Sequence, residues 1–330
     1  MLILDDEQEA LVQRLLEEPT RAALNASDPG TGKAQPLSEP VLTPKGWVKM
    51  GDIVPGDKVS DPISGEWSRV ISVHPQGVRK VYKVVFSDRT FTLCDEDHLW
   101  RVRLRGGRGV FTDLTTKELL TLGLKHADGS RKWFIPLTKE LEFDSRGVLP
   151  LDPYLLGVLL GDGGLSIGTP SLTTDREIVE TLLFPDGWGL TEQKAHNNTN
   201  YCGEWYLPGS GKLLRELGLY GKRSEGKFVP EQYLWASVKD RKALLQGLFD
   251  TDGTVEGQCA VSWGSVSKTM AEQVQFLVQS IGGTATLSSK KPTYAYKGEK
   301  RKGQLFYTLY IKLPKGFTPF RVSRKLSKWS

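Results

Sequence analysis

Cysteine is scarce. Cys94, Cys202 and Cys259 stand far apart. That excludes a zinc-ribbon spacing and leaves no disulfide framework, which fits a reducing cytoplasm. Long apolar runs are missing, so no segment is expected to span a bilayer and no membrane partner is expected. The first residues, MLILDDEQEALVQRLLEEP, lack the basic start and apolar stretch of a signal peptide; they are acidic and amphipathic. Acids are missing from one place in particular. From Leu287 to Ser330 there are twelve Lys or Arg and a single acid, Glu299. Tyr294, Tyr296, Phe306, Tyr307 and Tyr310 are interleaved with them. Such a stretch suits a surface that follows a phosphate backbone, or a solvated basic edge that blunts aggregation; composition leaves both open.

What is present begins with NASDPGTGKAQPLSEP, residues 25–40. Gly30, Gly32 and Lys33 fit the end of a phosphate-binding loop, in which backbone N–H groups and the lysine would hold the phosphates of ATP. The residue that should hold Mg²⁺ is absent: Ala34 stands where Ser or Thr belongs. Pro36 and Pro40 then forbid the helix that should follow. A free-standing ATPase is disfavoured. Two readings stay open: a decayed loop, or a loop interrupted by an insertion after Lys33.

With 330 residues, 38% of them hydrophobic, the chain is long enough for two or three domains. Residues 5–24 read as one helix with Leu11, Leu15 and Leu16 on one face. From Gln35 to about Pro136, short β-rich runs alternate with turn signals and predict an all-β domain. Phe134 to Pro153 is punctuated by Pro and Gly as a linker would be. A mixed helix and strand region follows to Leu313, then a basic, weakly patterned tail.

The mixed region repeats itself. YLLGVLLGDGGL (Tyr154 to Leu165) recurs as ALLQGLFDTDGTV (Ala243 to Val255), with Asp162 and Asp252 ninety positions apart. Each copy predicts an apolar helix with small residues four apart, Gly157 with Gly161 and Gly247 with Thr251, so one face of each lacks bulk. Each ends in Asp-Gly, the glycine read as a C-terminal stop. A carboxylate in the last turn faces the negative end of the helix dipole, and two such helices side by side would also bring like charges together. A shared cation would relieve both. Hard oxygen ligands suit Mg²⁺, which stabilises attacking and leaving oxygens in phosphodiester cleavage.

These repeats resemble the paired helices of the LAGLIDADG homing endonucleases, over roughly residues 151–313. The resemblance implies a pseudo-symmetric pair of αββαββα repeats whose two sheets form a saddle on double-stranded DNA. It implies that Asp162 and Asp252 bind Mg²⁺ and cut. It also implies a lysine in each half, with Lys227 in GKFVP the candidate. Specificity is expected from the sheets, the basic segment from Tyr294 to Lys312 in particular, reading the major groove.

The β-rich part resembles the N-terminal portion of an intein splicing (Hint) domain. EPVLTPKGWVKMGDIVPGDKV is similar to its first block, and VYKVVFSDRTFTLCDEDHLW to the block carrying its histidine. The implied organisation is an extein over 1–33 from a helicase, Hint residues 34–136, a linker 137–151, endonuclease 152–313 and a basic linker 314–330. The implied fold class is α+β multidomain, and the chain is expected to be monomeric in the cytoplasm of a bacterium or phage-infected host. Lys33–Ala34 becomes the splice junction, with His98 assisting proton transfer at the scissile amide. Two features depart from that pattern: Asp95 replaces the usual Thr three residues before His98, and Ala34 offers no nucleophile. Either Ala34 replaces an original Cys, or the protein resembles class 3 inteins, which attack from an internal Cys and carry a Trp where Trp100 stands. Cys94 sits in a strand pattern and reads as core. The final splicing blocks have no match, so splicing would need a C-terminal intein and extein segment as partner. A DNA-binding module with an inactive nuclease is the competing reading.

Overall fold

The computed structural model describes the chain except residues 1, 4–15, 27–34, 108, 145–146, 194–201, 258–259, 297–298 and 330. Gly30, Gly32, Lys33 and Ala34 therefore lie outside the described residues, as does Cys259. The chain divides into two units, Met1–Phe143 and Asp144–Ser330.

The first unit is built on one long strand. Trp67–Val85 pairs antiparallel with Lys58–Ser60, with Phe91–Cys94 and with Leu16–Ala26. The last pairing corrects the helix expected over residues 5–24 for its described part, residues 16–24; residues 5–15, with Leu11 and Leu15, lie outside the described residues. Pro19 cannot donate within a helix, and the edge of a 19-residue strand offers unpaired N–H and C=O groups that a neighbouring segment can use instead. A second sheet joins Leu99–Leu104 to Thr112–Thr115 and Trp133–Ile135. The helix Thr116–Leu122 starts at a capping box in which Thr115 and Glu118 satisfy each other's backbone N–H groups. Two small cores result, one around Met50, Ile53, Val59 and Val70, the other around Cys94, Trp100, Val102, Leu119 and Trp133. The stretch read as a linker is partly claimed by this unit: Leu141 and Phe143 are buried, and the Trp67 indole donates to the Glu142 carbonyl at 2.8 Å.

The second unit carries the same element order twice. Helix Pro153–Asp162, strands Gly163–Gly164 and Ser171–Asp175, helix Arg176–Glu180, strands Thr191–Gln193 and Cys202–Tyr206 and helix Gly211–Glu216 form the first αββαββα series. Helix Val238–Asp252, strands Gly253–Gly257 and Ala260–Ser265, helix Lys268–Ser280, strands Thr284–Lys290 and Phe306–Lys312 and helix Ser323–Leu326 form the second. A hairpin, Thr293–Tyr296 with Glu299–Lys302, is inserted before its last strand. Within each series the four strands are arranged in the order first, second, fourth, third.

Sequence explains the helices that matter most. Asp152 caps the first, accepting from Leu155 N–H at 2.9 Å, and Pro153 takes the first helical position, where no N–H is needed. Ser237 caps the second through Asp240 N–H at 3.1 Å. Pro153 to Leu160 are all buried, so this helix is a core element with no solvent face. The core runs from these helices through Trp263, Leu277, Leu309 and Ile311 to Phe317, Phe320 and Val322. Residues 314–330, read in the sequence as a basic linker, thus contribute to the core.

Candidate functional site

The site lies where the two long helices of the second unit cross, and glycine decides how closely. A Cβ placed on Gly157 would lie 2.9 Å from Leu248 N and 3.0 Å from Gly247 Cα, and nearer still to the Leu244 carbonyl. A Cβ on Gly247 would meet Val158 N at 2.9 Å and Gly157 Cα at 3.0 Å. The crossing is therefore backbone against backbone, which only glycine permits on both sides. One turn further along, a Cβ on Gly161 would lie 2.6 Å from Thr251 Cβ and 3.1 Å from Asp252 Oδ2. The small-residue stripe read in the sequence is the contact face.

That contact brings the C-terminal ends of both helices, and Asp162 and Asp252, to one place. Asp162 is half-buried and its carboxyl is raised above the usual carboxylate range by burial, against the pull of Lys227 and Lys325. Asp252 is pushed up to about 6, first by the protein crowding out water and then by the charge of Asp162. Its side chain is nevertheless exposed, so solvent tempers the first cause; the mutual repulsion fixes the direction.

The glycines after the acids cap both helices, as the sequence suggested, their N–H groups donating to the Leu159 and Phe249 carbonyls. Gly163 and Gly253 have φ of −77° and −86°, extended values open to any residue, so they are not left-handed helix stops. Crowding is the reason for glycine: a Cβ on Gly253 would sit 2.7 Å from Phe249 Cα, and one on Gly163 3.1 Å from Leu159 Cα.

Lysines complete both helix ends. Lys227 Nζ donates to the carbonyls of Leu160 at 2.9 Å, Gly161 at 3.1 Å and Gly163 at 2.8 Å, with Leu159 at 3.3 Å. Lys325 Nζ does the same on the other helix, to Phe249, Asp250 and Gly253 at 2.7 Å and Thr251 at 3.2 Å. The two acceptor sets are ninety positions apart, residue for residue. Three N–H groups shared over four carbonyls satisfy the free end of each helix and place a positive charge on its negative pole. Burial lowers both ammoniums to about 8, helped at Lys325 by Arg324; Asp252 and Asp162 pull Lys227 back up, and Asp250 with the same two acids does so for Lys325.

Each lysine-bearing segment also docks on the opposite series. Ser267, the N-cap of Lys268–Ser280, donates to the Lys227 carbonyl at 2.7 Å. Asp175, the N-cap of Arg176–Glu180, accepts from Arg324 Nε at 2.8 Å, and Glu177 accepts from Ser323 N–H at 2.6 Å. Lys325 was not a sequence candidate. It lies 98 positions after Lys227 and on a different element, inside helix Ser323–Leu326 where Lys227 follows the turn Ser224–Gly226, so a search at the ninety-residue offset misses it.

Residues 239–311 match the LAGLIDADG-like domain family. The match covers the second crossing helix from its second residue and ends at Ile311, next to the end of the last strand. Among curated proteins, the replicative DNA helicase DnaB of Mycobacterium intracellulare is 28% identical over 319 residues, covering 91% of this chain and 50% of that protein. The replication factor C small subunit of Thermococcus kodakarensis is 26% identical over 299 residues, covering 81% and 31%. The chain thus spans half or less of the length of these relatives. A solved structure of variants of the homing endonuclease I-DmoI covers 49% of this chain and 88% of its own, at 15% identity and a TM-score of 0.33. A further structure of I-DmoI contains DNA and Mn.

The remaining sequence candidates lie in the first unit. His98 is buried and its ring lies 4.6 Å from that of Trp100, tilted by 57°. The Trp100 indole donates to Thr116 Oγ1 at 3.0 Å, and Thr116 N–H donates to the His98 carbonyl at 3.0 Å. Cys94 is fully buried 3.4 Å from the same hydroxyl, and burial pushes its thiol up to about 12, as inert as its strand pattern suggested. Asp95 is engaged by Arg79 at 2.9 Å, which explains how a carboxylate is tolerated where a threonine was expected.

Proposed function

We propose that the chain is a Mg²⁺-dependent, site-specific endonuclease of double-stranded DNA, carried within a protein-splicing element that interrupts an ATP-dependent helicase. One observation carries the nuclease reading: a backbone-tight crossing sets Asp162 beside Asp252 despite their repulsion, and meets each helix end with a lysine. A fold has little reason to hold two mutually repelling acids together unless a cation is to lie between them. The donor set suits Mg²⁺, since both side chains offer oxygen only. Among the described residues no third His, Cys, Asp or Glu joins them, which leaves coordination positions for water and phosphate oxygens. The ion would supply charge stabilisation at the attacked phosphate. The lysines supply fixed positive charge at the helix ends. The outward residues of the second sheet, exposed Tyr310 and Lys312 among them, supply contacts to DNA.

The splicing reading rests on different support. A helicase and a replication factor share 81–91% of this chain while using 31–50% of themselves. A segment common to proteins of different name is what an inserted element leaves behind. In that reading Lys33–Ala34 is the upstream junction and His98, oriented against Trp100, serves it. Gly30, Gly32 and Lys33 then belong to the host's ATP loop, which functions only after reassembly with the C-terminal intein and extein segment.

A supercoiled plasmid carrying the uninterrupted host gene tests the nuclease reading. Mg²⁺-dependent linear product is expected. Retention of the plasmid without cutting would favour the competing reading, a DNA-binding module with an inactive nuclease.

A further inference from the structure

At one buried position the second crossing helix exchanges an apolar residue for an acid. Ninety residues after Leu160, which is apolar and buried, the second crossing helix carries Asp250, which is fully buried. A carboxylate there needs partners, and it has three. Tyr154 from the first crossing helix donates its hydroxyl to Asp250 Oδ2 at 2.9 Å. The backbone N–H of Arg321 donates to Oδ2 at 2.9 Å, and that of Val322 to Oδ1 at 3.4 Å. Arg321 is held twice more: its guanidinium lies 3.9 Å over the Tyr154 ring, and its Nε donates to Gln246 Oε1 at 2.9 Å. Four residues past Arg321, Lys325 delivers its ammonium to the end of the helix that bears Asp250.

We infer that Asp250 is a positioning residue for the second half of the cutting site: through the amides of Arg321 and Val322 it seats the segment that sets Lys325 beside Asp252. This inference rests on the nuclease reading. The first half has no equivalent, because Leu160 cannot accept a hydrogen bond; Lys227 depends instead on Ser267 and on Gln273, which holds Val229 N–H at 2.7 Å. The two half-sites are built alike but secured differently. Each series contributes one acid and one lysine to the site, and in this inference each such pair acts on one strand about the shared ion, so loosening Asp250 should slow one strand more than the other and leave a nick.

The test is Asp250→Leu, which installs the residue type found at the equivalent position of the first helix, assayed on the supercoiled plasmid with strand-specific end labels. DNA binding should stay within about threefold of wild type. The nicked-to-linear ratio should rise about tenfold or more, with one strand protected, since displacements of about 1 Å cost up to a hundredfold in rate. Tyr154→Phe, which removes one of the three donors, should shift the ratio in the same direction by less. A general loss of stability would slow both strands equally, so balanced cutting by Asp250→Leu overturns the inference. Should that variant fail to fold, Asp250→Asn replaces it: the amide keeps an acceptor for the Arg321 N–H but turns an NH2 group toward the Val322 N–H, so a smaller strand bias supports the role and balanced cutting refutes it. Absence of cutting by the wild-type chain would instead defeat the nuclease reading, and this inference with it.

Discussion

Gly161→Ala isolates the contact on which the site depends. The added methyl would lie 2.6 Å from Thr251 Cβ and closer to its hydroxyl. Thr251 cannot simply turn away, because its hydroxyl is tied to the Gly247 and Leu248 carbonyls at 3.1 and 3.0 Å. The helix ends must then part. Overpacking of this kind costs about 1–3 kcal/mol, and the better helix propensity of Ala returns at most about 1 kcal/mol. A net loss of about 1–2 kcal/mol should lower Tm by roughly 2–8 °C for a unit of this size. The larger effect falls on chemistry, since a shift of about 1 Å at the acids can cost up to a hundredfold in cleavage rate. DNA binding, which the proposed function assigns to the sheets, should change little. The double variant Gly161→Ala with Thr251→Gly exchanges the two contact surfaces and should recover much of the cleavage, the new helical glycine costing only about 0.3–0.5 kcal/mol relative to threonine, less than the alanine returns. Differential scanning calorimetry and plasmid linearisation measure the two effects. A single variant with wild-type Tm and wild-type cutting would refute the packing argument.

Further expectations concern charge and the first unit. Asp162→Asn and Asp252→Asn should each abolish linear product while leaving DNA retention in a filter or gel-shift assay near wild type. The carboxyl of Asp252 is raised in the folded chain to about 6, so it costs stability above that pH, and the cost fades as pH falls through 6 toward the ordinary carboxylate range. Cleavage should fall in the same window as Asp252 takes up its proton, and Asp252→Asn should flatten the Tm-versus-pH curve there; an unchanged curve contradicts the repulsion. In the first unit, Trp100→Phe deletes the indole donor to Thr116 and should cost about 1–2 kcal/mol in denaturant titration.

The repeat was legible because it is local: helical spacing places Gly157 with Gly161, and Gly247 with Thr251, on single faces whatever the rest of the chain does. The matched Asp-Gly ends then implied that the helices meet. Tertiary closure hid what completes the site. Lys325 sits in a basic tail with no pattern of its own, and only the docking of Arg324 on Asp175 and of Ser323 on Glu177 turns that tail toward the second helix. Asp250 reads as a polar interruption of an apolar helix until Arg321 and Val322 arrive from seventy residues downstream. Leu16–Ala26 shows the converse failure: an amphipathic, helix-like composition yields to a long strand edge with unpaired backbone groups.

The most direct measurement is anomalous diffraction from Mn²⁺ in crystals of the wild-type chain with the uninterrupted host sequence. The account predicts a peak within coordinating distance of the Asp162 and Asp252 carboxylates, absent in both Asp→Asn variants. Density elsewhere on the protein, with the two acids free of metal, would contradict it.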